Sequence, residues 1–125
     1  MTEAQEHKQL ADYIKMQYPK VIFNSDMSGI KLTIGQAKKA AALRSDNKFP
    51  DIVLYHRNSL YNGLFIELKR TGEKLCNKNG QYKTEHLNKQ ADTLLALNGQ
   101  GFCCLFAIGF EGAKIIIDNY MKLKL

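Results

Sequence analysis

The chain has 125 residues, of which 45% are hydrophobic and 24% are charged, as is usual for one soluble globular domain with a single core. Its 18 Lys and Arg residues outnumber its 12 Asp and Glu residues, and the net charge of +6 agrees with a polyanionic partner without identifying one. No apolar stretch approaches the roughly 20 residues of a membrane span, and Glu3 and Glu6 argue against a signal peptide. We therefore predict one domain over residues 1–125 and a cytoplasmic location.

The N-terminal segment, Thr2 to Tyr18, has the pattern of an amphipathic helix with Thr2 as its N-cap and Pro19 as its stop. Its apolar stripe consists of Leu10, Ala11, Ile14 and Tyr18. Glu3 falls on this stripe, whereas Glu6 lies somewhat to one side. A carboxylate in this position is either a partner of the helix dipole or a third carboxylate of a site on the inner face.

The next segment carries weaker patterns. Val21 to Ser25 and Ile30 to Leu32 predict a short hairpin. Thr33 to Ser45 is rich in alanine and predicts a helix. One side of this helix is basic, and it either contacts the phosphates of a bound partner or faces solvent. The basic side consists of Lys38, Lys39 and Arg44.

Two short apolar runs, residues 49–55 and 64–69, each contain charged residues. Asp51, directly after a proline, lies in the first run, and Glu67 and Lys69 lie in the second. Both runs predict β-strands, and the segment between them has the composition of a hairpin turn. Side chains two residues apart on a strand share a face, so Glu67 and Lys69 point the same way. Antiparallel pairing is therefore expected to bring the three charged groups together.

These residue types suit the hydrolysis of a phosphodiester bond. Mg²⁺ prefers oxygen ligands and is usually bound through one or two carboxylates together with substrate phosphate. Asp51 and Glu67 would supply the carboxylates, and the carbonyl of Leu68 would add a third oxygen. Lys69 would orient or help to deprotonate the attacking water and offset phosphate charge. Charged groups within apolar sequence favour such a site over a surface ion pair, because buried charges need partners or a metal.

The remaining segments complete an alternating α/β pattern. Residues 71–83 are rich in Gly, Asn and Lys and predict a long basic loop suited to substrate contact. Thr84 to Leu97 predicts a helix, with Gln90 on or beside its inward stripe. Phe102 to Ile108 predicts a strand covered on both faces. Gly112 to Tyr120 predicts a short closing helix.

The cysteines and histidines show no spacing typical of metal ligands. Cys103 and Cys104 are adjacent in an apolar run, Cys76 is isolated, and no C-x-x-C motif occurs. We predict that the adjacent pair packs in the core and forms no zinc site. The histidines are His7, His56 and His86.

The order of these motifs resembles that of the PD-(D/E)xK nuclease superfamily and, within it, the VRR-NUC family. The residues that carry the resemblance are Phe49-Pro50-Asp51-Ile52, Phe65-Ile66-Glu67-Leu68-Lys69 and the helix around Gln90. The resemblance implies an α/β fold with a restriction-endonuclease-like core, in which helices flank a central mixed sheet. It also implies a Mg²⁺- or Mn²⁺-dependent deoxyribonuclease that cuts branched DNA, such as a Holliday junction, as a homodimer in a bacterial or phage-infected cell.

The resemblance also assigns roles to individual residues. Asp51 and Glu67 correspond to the metal ligands of the family. Lys69 corresponds to its catalytic lysine, and Gln90 to its active-site glutamine. The first-helix glutamate of the family corresponds to Glu3 rather than Glu6, because the apolar residues that follow Glu3 have the matching spacing.

Two other functions remain open at this point. One is a basic module that binds nucleic acid without cutting it, although such a module has no need of carboxylates beside phosphate. The other is a metal-dependent hydrolase of a small phosphorylated molecule, which the lack of a glycine-rich phosphate loop disfavours.

Overall fold

The computed structural model describes residues 1–25, 33–45, 47 and 49–124. Within them the chain forms, in order, α1 (Glu3–Gln17), β1 (Phe23–Ser25), α2 (Ile34–Ala42), β2 (Ile52–Leu54), β3 (Leu64–Lys69), α3 (Glu85–Asn98), β4 (Cys103–Ile108) and α4 (Gly109–Lys122). The strands form a mixed sheet in the order β1-β2-β3-β4, in which β1, β2 and β3 are antiparallel neighbours and β4 is parallel to β3. The mixed α/β architecture that the sequence resemblance implied is therefore confirmed.

The two faces of the sheet differ in what covers them. One face packs with α1 and α4 to form the hydrophobic core. The core consists of Leu10, Ile14, Ile52, Leu54, Leu64, Ile66, Leu68, Ala107, Ala113, Ile117 and Tyr120. Because side chains alternate along a strand, the other face of β3 carries Phe65, Glu67 and Lys69. That face lies on the side of α3, which packs against β4. The charged residues of β3 are thus separated from the core.

Threonine side chains start three of the described helices at the predicted positions. Thr2, Thr33 and Thr84 each accept a hydrogen bond from the backbone N–H three residues on, at the starts of α1, α2 and α3. The predicted strand partner at Ile30 to Leu32 lies outside the described residues. None of the helices in the described part of the chain combines the length and the apolar character needed to cross a membrane.

The last strand has a helix on each face, as predicted, because α4 packs against β4 on the core side and α3 packs against it on the other. Among the described strands β4 pairs with β3 alone, and its outer side chains are less completely covered than predicted. Leu105 is 39% exposed and Ile108 is 37% exposed. An unbroken apolar run is equally compatible with a central strand and with an edge strand whose outer side chains remain partly in solvent. Cys103 and Cys104 have free thiols and are half-buried and buried, as predicted for core packing.

The helix α4 begins directly after β4 at Gly109 rather than at the predicted Gly112. The side chain before it provides no cap. Instead, the Glu6 carboxylate accepts hydrogen bonds from the Phe110 N–H at 3.3 Å and from the N–H and hydroxyl of Thr71. Gly109 has φ of +69°, and a Cβ there would collide with both the Glu6 carboxylate and the Thr71 hydroxyl, so only glycine fits. A cap supplied from the other end of the chain explains why the start of α4 was mispredicted.

Replacing Glu6 by glutamine is expected to lower the free energy of unfolding by about 2–3 kcal/mol at pH 7, because hydrogen bonds to a charged group are lost. Burial raises the pKa of Glu6, but the hydrogen bonds from Thr71 and Phe110 outweigh it and hold the pKa below its ordinary value. This stabilisation is present above the pKa of the unfolded carboxyl and is lost as pH falls through the lower folded value. Urea denaturation at several pH values measures both effects.

Glu3→Gln is the matched control, since Glu3 lies in the same helical turn with its side chain 46% exposed. Its cost is expected to stay below about 1 kcal/mol, the usual size of a helix-dipole interaction. Equal losses in the two variants would show that Glu6 does not anchor α4.

Candidate metal centre

Asp51 and Glu67 face each other where β2 and β3 meet. The strands pair with Ile52 opposite Ile66, and the same register continued by one residue places Asp51 opposite Glu67. The Oδ2 atom of Asp51 accepts a hydrogen bond from the backbone N–H of Leu68 at 3.1 Å. Both carboxylates are only 3% exposed. The predicted antiparallel pairing is therefore confirmed, and it buries two acidic side chains together.

Two more of the predicted site residues contact Glu67. The Nζ atom of Lys69 lies 3.8 Å from Oε1 of Glu67, and Lys69 is only 8% exposed. From α3, the Nε2 atom of Gln90 donates a hydrogen bond of 2.7 Å to the same oxygen. The structure thus brings together four side chains from three separate segments of the sequence. They are Asp51, Glu67, Lys69 and Gln90.

The electrostatics of this cluster leave Glu67 protonated near neutral pH. Burial, followed by the charge of Asp51 and a hydrogen bond with Asp51, raises the pKa of Glu67 to about 9, although the charge of Lys69 opposes the shift. Two adjacent carboxyl groups in a buried site cannot both ionise unless a cation compensates their charge. A proton is therefore held where a metal ion would otherwise neutralise the pair.

The donor set fits a hydrated divalent cation. Asp51 and Glu67 offer the carboxylate oxygens that Mg²⁺ and Mn²⁺ prefer. The Oε1 atom of Gln90 is buried and has no hydrogen-bond partner among the described residues. Buried amide oxygens are nearly always hydrogen-bonded, and water is a suitable donor here, because Mg²⁺ usually keeps several of its waters.

His7 is a member of this centre that the sequence pattern did not indicate. It is 5% exposed, and its Nε2 atom lies 3.8 Å from Oε1 of Glu3 and 3.9 Å from Oδ2 of Asp51. Ligand atoms of Glu3, His7 and Asp51 all lie within 4.8 Å of one another. Tertiary packing therefore places His7 in a group that could hold a cation, although the spacing of the histidines in the sequence had indicated no metal site. The available signal was its position four residues after Glu3, which places both on one face of a helix.

The two glutamates of the first helical turn have different surroundings. Glu6 is the buried one, at 2% exposure, contrary to the predicted position beside the stripe. Its oxygens already accept hydrogen bonds from Thr71 and Phe110. Glu3 is more exposed and lies in the group with His7 and Asp51. Geometry therefore favours Glu3 over Glu6 as the helix carboxylate of the centre, and its role stays a prediction.

A basic surface cavity of about 520 Å³ adjoins the centre. The loop after β3 and the start of α3 form it, and Lys69 belongs to both the cavity and the metal centre. The lining residues are Lys69, Arg70, Gly72, Glu73, Lys74, Lys83, Thr84, His86 and Leu87. Lysine and arginine side chains beside a helix N-terminus favour anions. The cavity therefore suits a phosphate group close to the carboxylates.

A comparison with solved structures finds a similar fold. A structure described as a VRR_NUC domain protein matches 99% of this chain and 91% of that chain, with a TM-score of 0.73 and 21% sequence identity. No protein-family model matches the sequence, and no curated protein is similar to it at a significant level. At such low identity the likeness establishes the fold alone. The resemblance implied by the motifs is thereby confirmed at that level: this chain has the mixed α/β fold of a VRR-NUC domain protein.

Proposed function

We propose that this chain is a divalent-cation-dependent DNA endonuclease of the VRR-NUC family. The proposal depends on one observation, the burial of the Asp51 and Glu67 carboxyl groups in contact with each other and with Lys69 3.8 Å from Glu67. Burying two acidic groups side by side is unfavourable without compensation. A site that binds a catalytic cation accounts for this arrangement, and the fold shared with a VRR_NUC domain protein supports it.

The proposed ligands come from two strands and one helix. Asp51 and Glu67 would hold Mg²⁺ or Mn²⁺, with the carbonyl of Leu68 and the carboxylate of Glu3 as further oxygen donors. When bound, the cation supplies positive charge to the reacting phosphate and lowers the pKa of the attacking water.

Lys69 and Gln90 act beside these ligands. The ammonium group of Lys69 offsets phosphate charge and orients the attacking water through a hydrogen bond. The N–H of Gln90 holds Glu67 in place, so that the buried Oε1 atom remains available to accept a hydrogen bond from water. Both residues thus work by positioning and charge.

Exposed apolar residues support the proposed homodimer. No residue of α2 is buried, and Ile34 and Leu43 are 79% and 87% exposed. Because Ile34 at the start of α2 and Leu43 at its C-cap lie on opposite sides of the helix, a partner would have to cover α2 as a whole rather than a single apolar stripe. If a second copy covers this helix, two active sites can address the two strands of a branched duplex.

The basic cavity is expected to contact DNA phosphates. Replacing Lys74 and Lys83 together by alanine should weaken binding of a duplex several-fold and reduce the slope of log K against log salt by about 2, roughly one per phosphate contact. Fluorescence anisotropy at several salt concentrations measures both quantities. The double variant of Lys15 and Lys122, both exposed, removes the same charge elsewhere. An identical slope change in this control would contradict a specific role for the cavity.

Cleavage assays on a panel of DNA structures test the proposed activity. Linear, nicked, flap and four-way junction substrates are incubated with the chain in Mg²⁺, in Mn²⁺ and in EDTA. We expect cleavage only with a cation, and faster cleavage of the branched substrates. If every substrate is bound but none is cut, and no cation raises the melting temperature, the chain is a binding module and the proposal is wrong.

A further inference from the structure

The imidazole of His7 is held in one orientation within the protein. A hydrogen bond of 3.1 Å joins its Nδ1 atom to the Oγ atom of Ser25, at the end of β1. Its Nε2 atom then faces the gap between Glu3 and Asp51. Metal-binding histidines are usually fixed in this way, through a hydrogen bond made by the ring nitrogen that does not bind the metal.

The Nε2 atom lies too far from both carboxylates for a hydrogen bond. Its distances of 3.8 Å and 3.9 Å exceed the usual limit of about 3.2 Å for nitrogen and oxygen. Two ligand atoms that each lie about 2.1 Å from one cation are at most about 4.2 Å apart. Both distances are therefore short enough for ligands of a single ion. His7 is 95% buried as a residue, so this nitrogen is directed at the two carboxylates from inside the protein, in the position of a third ligand beside them.

We propose that Glu3, His7 and Asp51 form a subsite for a divalent cation on the α1 side of Asp51, and that its nitrogen ligand makes this subsite prefer Mn²⁺ to Mg²⁺. The inference rests on the proposed nuclease function. It places Glu3 and His7 on one side of Asp51 and Glu67 on the other, so that Asp51 belongs to both groups of ligands. Mg²⁺ favours oxygen ligands throughout, whereas imidazole favours transition metals. Mn²⁺ shares the carboxylate preference of Mg²⁺, but as a transition metal it binds an imidazole nitrogen more readily than Mg²⁺ does.

Pulsed electron paramagnetic resonance of Mn²⁺ bound to the full-length chain tests the ligand directly and without cleavage. We expect the electron spin echo of Mn²⁺ to be modulated by a directly bound imidazole nitrogen. The modulation frequency should change when the protein is labelled with ¹⁵N-histidine. His7→Gln should abolish the signal. His56→Gln, which replaces an exposed histidine, should retain it. If His7→Gln fails to fold, the labelled wild-type chain still shows whether a histidine binds the ion.

Cation affinities give a second measurement. In calorimetric titrations, His7→Gln should weaken Mn²⁺ binding by a factor on the order of ten or more, with a smaller change for Mg²⁺. Mn²⁺ that binds and supports DNA cleavage without any histidine signal would overturn the subsite and leave the proposed nuclease intact. Failure of the wild-type chain to bind Mn²⁺ or Mg²⁺ and to cut DNA would contradict both.

Discussion

Replacing Lys69 by alanine is expected to slow cleavage of a branched duplex by about 10²–10⁴-fold, the usual contribution of a positioned group that transfers or orients a proton. Lys69 is 92% buried and its Nζ atom lies 3.8 Å from Oε1 of Glu67, so the substitution removes an ammonium group that is held beside this carboxylate. DNA affinity should change only a few-fold, because one phosphate contact among many is removed. Single-turnover cleavage with saturating Mg²⁺, together with anisotropy binding curves, separates the two quantities.

Two further substitutions make this result specific. Lys8→Ala removes the same charge from an exposed ion pair with Asp12 on α1 and is expected to cut at the parental rate. Lys69→Arg keeps the charge but not the compact ammonium group, and it is expected to recover binding more fully than cleavage. If Lys69→Ala cuts as fast as the parent, Lys69 has no part in the reaction.

The paired strands of the centre were predictable because their signals are local. Alternation along β3 separates Glu67 and Lys69 from the apolar residues that enter the core, and the short turn after β2 requires antiparallel neighbours. The register was the part that these signals left open, because the connection from Tyr55 to Gly63 allows more than one pairing, and the structure has Ile52 opposite Ile66. The inward position of Gln90 was equally visible, because helical spacing places it with Leu87 and Leu94.

Contacts between distant segments were not predictable in this way. The carboxylate that caps α4 comes from Glu6, 104 residues before Phe110, and no local pattern at Gly109 indicates it. His7 is similar, since its orientation depends on Ser25 at the end of β1 and its neighbour Asp51 directly precedes β2. Helical spacing related His7 to Glu3, but only tertiary packing shows that this pair meets Asp51.

The protonated state of Glu67 predicts an unusual dependence of stability on pH in the metal-free chain. Because its folded pKa is about 9, above the value of about 4.3 for a free glutamate, the folded state holds more protons than the unfolded state between these values. Stability should therefore fall as pH rises through this window, by at most about 1.4 kcal/mol per pH unit. This corresponds to a few degrees of melting temperature per pH unit. Thermal melts in EDTA from pH 5 to pH 9 measure the slope.

A divalent cation should reverse this trend, because it replaces the proton between Asp51 and Glu67 and binds more tightly as pH rises toward 9. Glu67→Gln mimics the neutral carboxyl group, so this variant should melt higher than the parent in EDTA at pH 9. It should also lose most of the stabilisation by Mn²⁺ or Mg²⁺. Glu111→Gln, at an exposed position of α4, should keep the parental slope and the parental response to metal. If the stability of the metal-free parent instead rises steadily from pH 5 to pH 9, Asp51 and Glu67 do not share a proton. The argument for a cation between them would then lose its electrostatic basis.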